Sequence, residues 1–137
     1  MNGHSKFNKL VEIARALAPN PREDIRNHHV TFMLRKNRVV SIGVNSSKTN
    51  TKNLKYRYVN RQNVHIGNTT GTHSEMSCVL KYGREDCSDI TFVNIRIDRN
   101  GKLNNSKPCS GCASLLQKLG FKKLFYSNMQ SQFQEWL

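Results

Sequence analysis

The chain has 137 residues, a length suited to one core, and we expect residues 1–137 to form a single domain. It carries 22 Lys and Arg against 9 Asp and Glu, a formal net charge of +13. Such an excess indicates an anionic partner, either a nucleotide phosphate or a nucleic acid. No apolar run is long enough for a signal peptide or a membrane span, so the sequence predicts a cytoplasmic protein without a membrane partner.

The first half of the chain predicts a helix followed by a β-hairpin. Over residues 5–18 apolar side chains recur at helical spacing, and prolines end the run. Residues 29–34 and 39–44 are rich in β-forming side chains, and the four polar residues between them favour a tight turn. Residues 45–72 are polar and too many for a simple connection, so we expect this segment to be functional.

The second half of the chain predicts two helices that alternate with two strands. These are a helix over 73–82, a strand over 90–97, a helix over 109–119 and a strand over 122–126. Thr72 is the expected cap of the first of these helices, and Gly83 and Gly120 are the expected ends of the two.

Two short motifs open these two helices. His73-Ser74-Glu75 has the form His-x-Glu, and Pro108-Cys109-Ser110-Gly111-Cys112 has the form Pro-Cys-x-x-Cys. One imidazole and two thiolates supply three tetrahedral ligands for Zn²⁺ and leave a fourth position open for water, as a catalytic zinc site requires. Pro108 fits the first position of a helix, whose dipole favours the thiolates. In this order the motifs resemble the signature of zinc-dependent nucleobase deaminases.

Each motif alone has other interpretations. Cys-x-x-Cys also occurs in redox pairs and in structural zinc sites. A structural site would need a second close pair, whereas Cys78 and Cys87 are nine residues apart. We expect Cys78 to be buried as a small apolar side chain and Cys87 to be a loop or strand-edge thiol, with no disulfide framework. A nucleic-acid-binding protein with a structural zinc is a further alternative. Glu75 argues against it, because a structural site has no use for that carboxylate.

The order of elements and the motifs together resemble the cytidine and deoxycytidylate deaminase superfamily over nearly the whole chain. The resemblance implies a three-layer α/β/α fold with a mixed sheet of four or five strands and the zinc site at the N-termini of helices two and three. It implies that the protein converts cytosine to uracil in a nucleoside or nucleotide by zinc-dependent hydrolysis. The alternative is deamination of cytosine or adenine in single-stranded DNA or RNA, and a homo-oligomer is compatible with either.

The resemblance also implies roles for individual residues. The implied zinc ligands are His73, Cys109 and Cys112. Glu75 is the implied catalytic residue, which moves protons between water and base. Gly43-Val44-Asn45 resembles the family's Gly-x-Asn, whose Asn side chain hydrogen-bonds the substrate. Ser74 stands where the family usually has Ala or Val, and its backbone amide is the implied contact with the base.

Basic and tyrosine side chains alternate within the polar segment. Basic groups can bind phosphates and aromatic rings can stack on bases, although a solvated surface is the alternative. The candidate phosphate or nucleic-acid contacts are Lys52, Lys55, Tyr56, Arg57 and Tyr58.

The last ten residues have two interpretations. If 132–136 forms a fifth strand, it returns as an antiparallel hairpin, an arrangement that resembles the free-cytidine deaminase branch. A parallel fifth strand, as in the tRNA adenosine, deoxycytidylate and APOBEC-like branch, would need a crossover helix that the sequence has no room for. A terminal helical turn or a frayed tail is the alternative.

Overall fold

The structure is a computed structural model that describes residues 4–17, 28–45, 58–59, 65–66, 73–83, 86–98 and 100–136. Its elements, in chain order, are α1 (His4–Ala16), β1 (His28–Arg35), β2 (Arg38–Val44), β3 (Tyr58–Val59), β4 (His65–Ile66), α2 (Ser74–Tyr82), β5 (Thr91–Ile97), β6 (Leu103–Asn104), α3 (Ser110–Leu119), β7 (Lys123–Ser127) and β8 (Phe133–Glu135). The three helices and the four longer strands predicted from the sequence are therefore present, with ends shifted by one or two residues. None of the described helices is both long and apolar enough to cross a membrane.

The main sheet has the strand order β2-β1-β5-β7-β8, and β6 pairs with β5 as a sixth strand. β5 and β7 are parallel because the chain passes through α3 between them, and the other pairs are antiparallel. β8 confirms the fifth strand as an antiparallel hairpin with β7. β3 and β4 form a separate two-stranded sheet.

The hairpin turn between β1 and β2 consists of Lys36 and Asn37. Both have positive φ, 51° and 65°, as a two-residue turn of type I′ requires. The turn sets the register in which β1 pairs with β2 on one side, while β5 pairs with β1 on the other.

Alternate residues of β1 and β5 face opposite layers, which confirms the three-layer α/β/α fold. Phe32 and Val93 lie in a buried apolar cluster with Leu10 and other residues of α1. On the other face, Met33 and Phe92 share a buried cluster with Val79 of α2 and Leu116 of α3. Helix α1 therefore covers one face of the sheet, and α2 and α3 cover the other.

The helix starts differ from the prediction. His73 is the N-cap of α2, so the expected cap Thr72 is wrong. Cys109 is the N-cap of α3, and its sulfur accepts a hydrogen bond from the backbone N–H of Cys112; Pro108 therefore precedes the cap and does not take the first helical position. His73 and Cys109 thus both have extended backbone at the N-cap of a helix. Gly83 ends α2 with φ 73°, as predicted.

Candidate active site

The N-termini of α2 and α3 bring one imidazole and two thiols together. The Nδ1 atom of His73 lies 3.3 Å from Cys112 Sγ and 3.7 Å from Cys109 Sγ, and the three ligand atoms lie within 4.8 Å of one another. With ordinary Zn–S and Zn–N bonds, a tetrahedral zinc holds sulfur and nitrogen about 3.5 Å apart. The distances and the donor types therefore fit a zinc ion, with these three residues as its ligands.

The pKa values of these three groups depend on one another. A hydrogen bond from the Cys112 thiol, and a further one with His73, lower the pKa of Cys109 to about 3. The hydrogen bond with Cys109 raises the pKa of His73, and the same contact with Cys109, together with burial, raises that of Cys112. Without metal, Cys109 is a thiolate that is stabilised by hydrogen bonds from the protonated side chains of Cys112 and His73. A metal ion that binds all three groups must displace those protons.

Glu75 lies beside this cluster without belonging to it. Its side chain is 7 % exposed and sits in the first turn of α2. The Ser74 hydroxyl donates to Glu75 Oε1 at 3.0 Å, and the Asn94 amide donates to Glu75 Oε2 at 3.3 Å. Burial raises the pKa of the Glu75 carboxyl. A buried carboxyl with a raised pKa is typical of a group that accepts and returns protons in catalysis.

Two further polar residues, which the sequence analysis missed, complete a ring of buried polar side chains that includes Ser74 and Glu75. The hydroxyl of Thr31 donates to Asn94 Oδ1 at 2.8 Å and lies 2.9 Å from the hydroxyl of Ser74. Thr31 and Asn94 are direct partners across β1 and β5 and are both buried. The sequence does contain a signal for these two residues, since each is a polar residue at an inward position of an otherwise apolar strand.

Asn45 ends β2, and its side-chain oxygen accepts a hydrogen bond from the backbone N–H of His29 at 3.0 Å. The backbone N–H of Asn45 donates in return to the carbonyl of His29 at 3.1 Å. These two bonds hold the Asn45 side chain against the start of β1, and its contact with a substrate stays a prediction. Burial, followed by the charges of Arg96 and His73, lowers the pKa of His29 to about 4, so its ring is neutral at neutral pH.

The structure does not test the other candidate contacts. Lys52, Lys55, Tyr56 and Arg57 fall outside the described residues, and Tyr58 begins β3, where its backbone pairs with Ile66. Their phosphate or nucleic-acid contacts stay predictions.

Cys78 and Cys87 are free and fully buried, and burial raises their pKa values to about 12 and about 11. Cys78 is buried as predicted, and Cys87 lies in the predicted loop before β5, where it is buried in the same apolar cluster.

Comparisons with known proteins support the assignment of this cluster as a zinc site. The family model described as the cytidine and deoxycytidylate deaminase zinc-binding region matches residues 4–128, which include both motifs. Zinc is therefore the cofactor for which this site is built. Among solved structures, the fold is similar to the apo form of dCMP deaminase from the cyanophage S-TIM5, with a TM-score of 0.56 and 14 % identity over 93 % of this chain and 86 % of that one. No curated protein sequence matches the chain.

Proposed function

This chain belongs to the cytidine and deoxycytidylate deaminase family, and we propose that it converts cytosine to uracil in a nucleotide, with water as co-substrate and ammonia as product. The observation that carries this proposal is the position of Glu75. It is a buried carboxyl with a raised pKa, placed beside a His-Cys-Cys cluster and outside that cluster. A zinc site that only stabilises the fold would not need such a group.

Glu75 carries the proton transfers of the proposed reaction. Zinc held by His73, Cys109 and Cys112 supplies a Lewis acid that makes water available as a nucleophile near neutral pH. Glu75 accepts one proton of the attacking water and delivers it to N3 of cytosine while the water oxygen bonds to C4. Glu75 then takes the second proton of that oxygen and gives it to the amino group. The C4–N bond breaks, ammonia leaves, and C4 becomes the carbonyl of uracil.

The substrate is proposed to carry a phosphate. The structural relative from cyanophage S-TIM5 is a dCMP deaminase, and the net charge of +13 favours an anionic substrate. The charges of Arg96 and His73 both act on His29, so Arg96 adds positive charge next to the zinc site. The backbone amide of Ser74 and the side chain of Asn45 are the proposed contacts with the base and the sugar.

A panel of substrates tests this proposal. Purified zinc-loaded protein is incubated with cytidine and deoxycytidine, with their mono- and triphosphates, and with cytosine- and adenine-containing single-stranded oligonucleotides, and ammonia release is measured for each. We expect turnover of at least one nucleotide, with a higher kcat/KM than for the matching nucleoside, and a strongly reduced turnover by Glu75→Gln.

The outcomes separate the alternatives. Turnover of oligonucleotides alone would replace the proposal with the polynucleotide alternative. Equal kcat/KM for nucleoside and nucleotide would remove the phosphate from the proposed specificity. A fully zinc-loaded protein without turnover of any of these substrates would overturn the proposed function.

A further inference from the structure

Asn94 occupies the centre of the sheet face that carries the zinc ligands, and its side chain is 3 % exposed. Its Nδ2 donates to Glu75 Oε2 and to the backbone carbonyl of Ser106, both at 3.3 Å, while its Oδ1 accepts from Thr31 at 2.8 Å. A backbone carbonyl and an ionised carboxylate can only accept, so a flipped amide would lose both contacts. The orientation of Asn94 is therefore determined by its three partners.

These partners belong to the two halves of the active site. Glu75 lies on α2, and Ser106 lies three residues before Cys109, in the segment that leads into α3. Ser106 Oγ donates back to the carbonyl of Asn94 at 2.8 Å, and the backbone N–H of Ser106 donates to the carbonyl of Ser127 on β7 at 2.9 Å. Through Asn94, the position of the Glu75 carboxyl is linked to the position of the segment that carries the cysteine ligands.

Thr31 acts on Glu75 through Asn94. Its one hydroxyl proton goes to Asn94 Oδ1, and the hydroxyl of Ser74, which lies 2.9 Å from that of Thr31, donates its own proton to Glu75 Oε1. The next residue across the sheet is Gly43, where a Cβ atom would lie 2.3 Å from the carbonyl oxygen of Ser74. The missing side chain at Gly43 lets the first turn of α2 lie against the sheet, and this close approach brings Ser74 within reach of Thr31.

A polar pair at this position has an energetic cost that apolar residues would avoid. A buried polar group without a partner destabilises the fold, and even a satisfied pair contributes little net stability compared with packed apolar side chains. The neighbouring inward residues of the same strands, Met33 and Phe92, are fully buried and apolar. Stability alone therefore does not account for Thr31 and Asn94, whereas orienting a flexible carboxylate through the fixed amide of Asn94 does.

We propose that Thr31 and Asn94 are positioning residues of the deamination reaction, which hold the Glu75 carboxyl in a set place relative to the zinc ligands. The inference rests on the proposed function, because it assumes that Glu75 moves the protons. Asn94 hydrogen-bonds directly to Glu75, and Thr31 acts through Asn94; neither residue is proposed to contact the substrate or the metal. Their effect is on the geometry of proton transfer and not on the affinity for substrate.

The test compares near-isosteric variants that lack the hydrogen bonds. Thr31→Val and Asn94→Leu should each lower kcat roughly 10- to 100-fold, the range expected when a catalytic group is displaced by about 1 Å, with little change in KM. Thr31→Ser keeps a hydroxyl at the same place and should retain most of the wild-type kcat. Val93→Ala is the matched control, because Val93 is also buried on β5 but faces α1; it should lower the thermal midpoint and leave kcat unchanged.

Two readouts separate positioning of Glu75 from a general structural role. Zinc content should stay near one ion per chain in every variant, and the visible spectrum of the Co²⁺-substituted protein should keep the wild-type bands, since the ligands are unaltered. In a Glu75→Gln background, Thr31→Val should have no further effect on residual turnover, because its partner in catalysis is already gone. Zinc loss, altered cobalt bands or an undiminished effect in that background would overturn the inference.

The experiment also distinguishes failure of the inference from failure of the proposed function. If Glu75→Gln keeps near-wild-type turnover, the proposed mechanism fails. If Glu75→Gln loses turnover while Thr31→Val keeps kcat, the mechanism stands and the positioning role is wrong. Should Asn94→Leu fail to fold, Thr31→Val and Thr31→Ser decide the question between them.

Discussion

The two faces of the main sheet use the same strands in different ways. Towards α1, β1 and β5 present apolar side chains such as Phe32 and Val93, whose contacts are with other apolar groups. Towards α2 and α3, the residues one position earlier or later, Thr31 and Asn94, form a buried polar ring with Glu75. Burial of apolar side chains on the first face contributes stability. On the second face, polar side chains take the place of some apolar ones and hold a carboxyl group beside the zinc ligands.

The largest effect should come from removing a zinc ligand. Cys109→Ser and Cys112→Ser should each lose the ion, all measurable turnover and much of the thermal stability, because zinc joins the starts of two helices. Cys87→Ala is the matched control, since Cys87 is buried on the same side of the sheet and lies outside the ligand cluster, and it should keep zinc. Metal analysis after gel filtration measures the outcome. Full zinc occupancy in both serine variants would contradict the ligand assignment.

Glu75→Gln should be the most damaging change that leaves the zinc in place. The amide has nearly the same shape but cannot carry protons, so kcat should fall about 10²- to 10⁴-fold while zinc content stays at the wild-type level. Steady-state kinetics on the best substrate, together with metal analysis of the same sample, gives both quantities. Loss of zinc in this variant would mean that Glu75 is a ligand and not a proton carrier.

A pair of core truncations tests whether the two faces differ as proposed. Phe32→Ala and Phe92→Ala both empty a fully buried phenyl site and should each lower the free energy of unfolding by about 3–5 kcal/mol. Phe92 shares its cluster with residues of α2 and α3, so only Phe92→Ala should also weaken zinc binding. Urea unfolding and zinc competition with a chelating dye measure the two effects. Equal zinc affinity in both variants would show that the site does not depend on packing beneath it.

Gly43→Ala should have a smaller effect on stability. The added Cβ would lie 2.3 Å from the carbonyl oxygen of Ser74 and 2.4 Å from the backbone nitrogen of Cys78, so α2 must move away from the sheet. We expect a loss of about 1–3 kcal/mol in the free energy of unfolding. Because the shift separates Ser74 from Thr31, kcat should fall as well. An unchanged kcat would indicate that this close approach serves stability alone.

The smallest expected effect is on the pH dependence of stability. Burial raises the pKa of Glu75 in the folded protein above its ordinary value of 4.5, so the folded state binds more protons than the unfolded state between these two values. The free energy of unfolding contributed by this group is therefore present below pH 4.5 and is lost as pH rises through the raised pKa. Metal-free Glu75→Gln should lose less stability than metal-free wild type over that window, measured by urea unfolding. A steeper loss in the variant would contradict the direction of the shift.

The sequence alone identified the candidate zinc ligands and the order of the elements. His-x-Glu and Pro-Cys-x-x-Cys each place their chemistry within a few residues, and helical or alternating periodicity is likewise a property of neighbouring residues. The same local signals located the end of α2 at Gly83 and the turn between β1 and β2. The family match then confirmed the resemblance that these motifs carry.

The tertiary structure decided what depends on distant partners. Thr31 meets Ser74 across 43 residues and Asn94 across 63, and no local pattern encodes which polar side chains will share a buried ring. β6 has only two residues, too few for a periodic signal, and exists because β5 offers it a hydrogen-bonding edge. The choice of an antiparallel β8 over a helical turn was open for the same reason. Pairing energies belong to contacts between elements, and these form only when the chain brings its distant segments together.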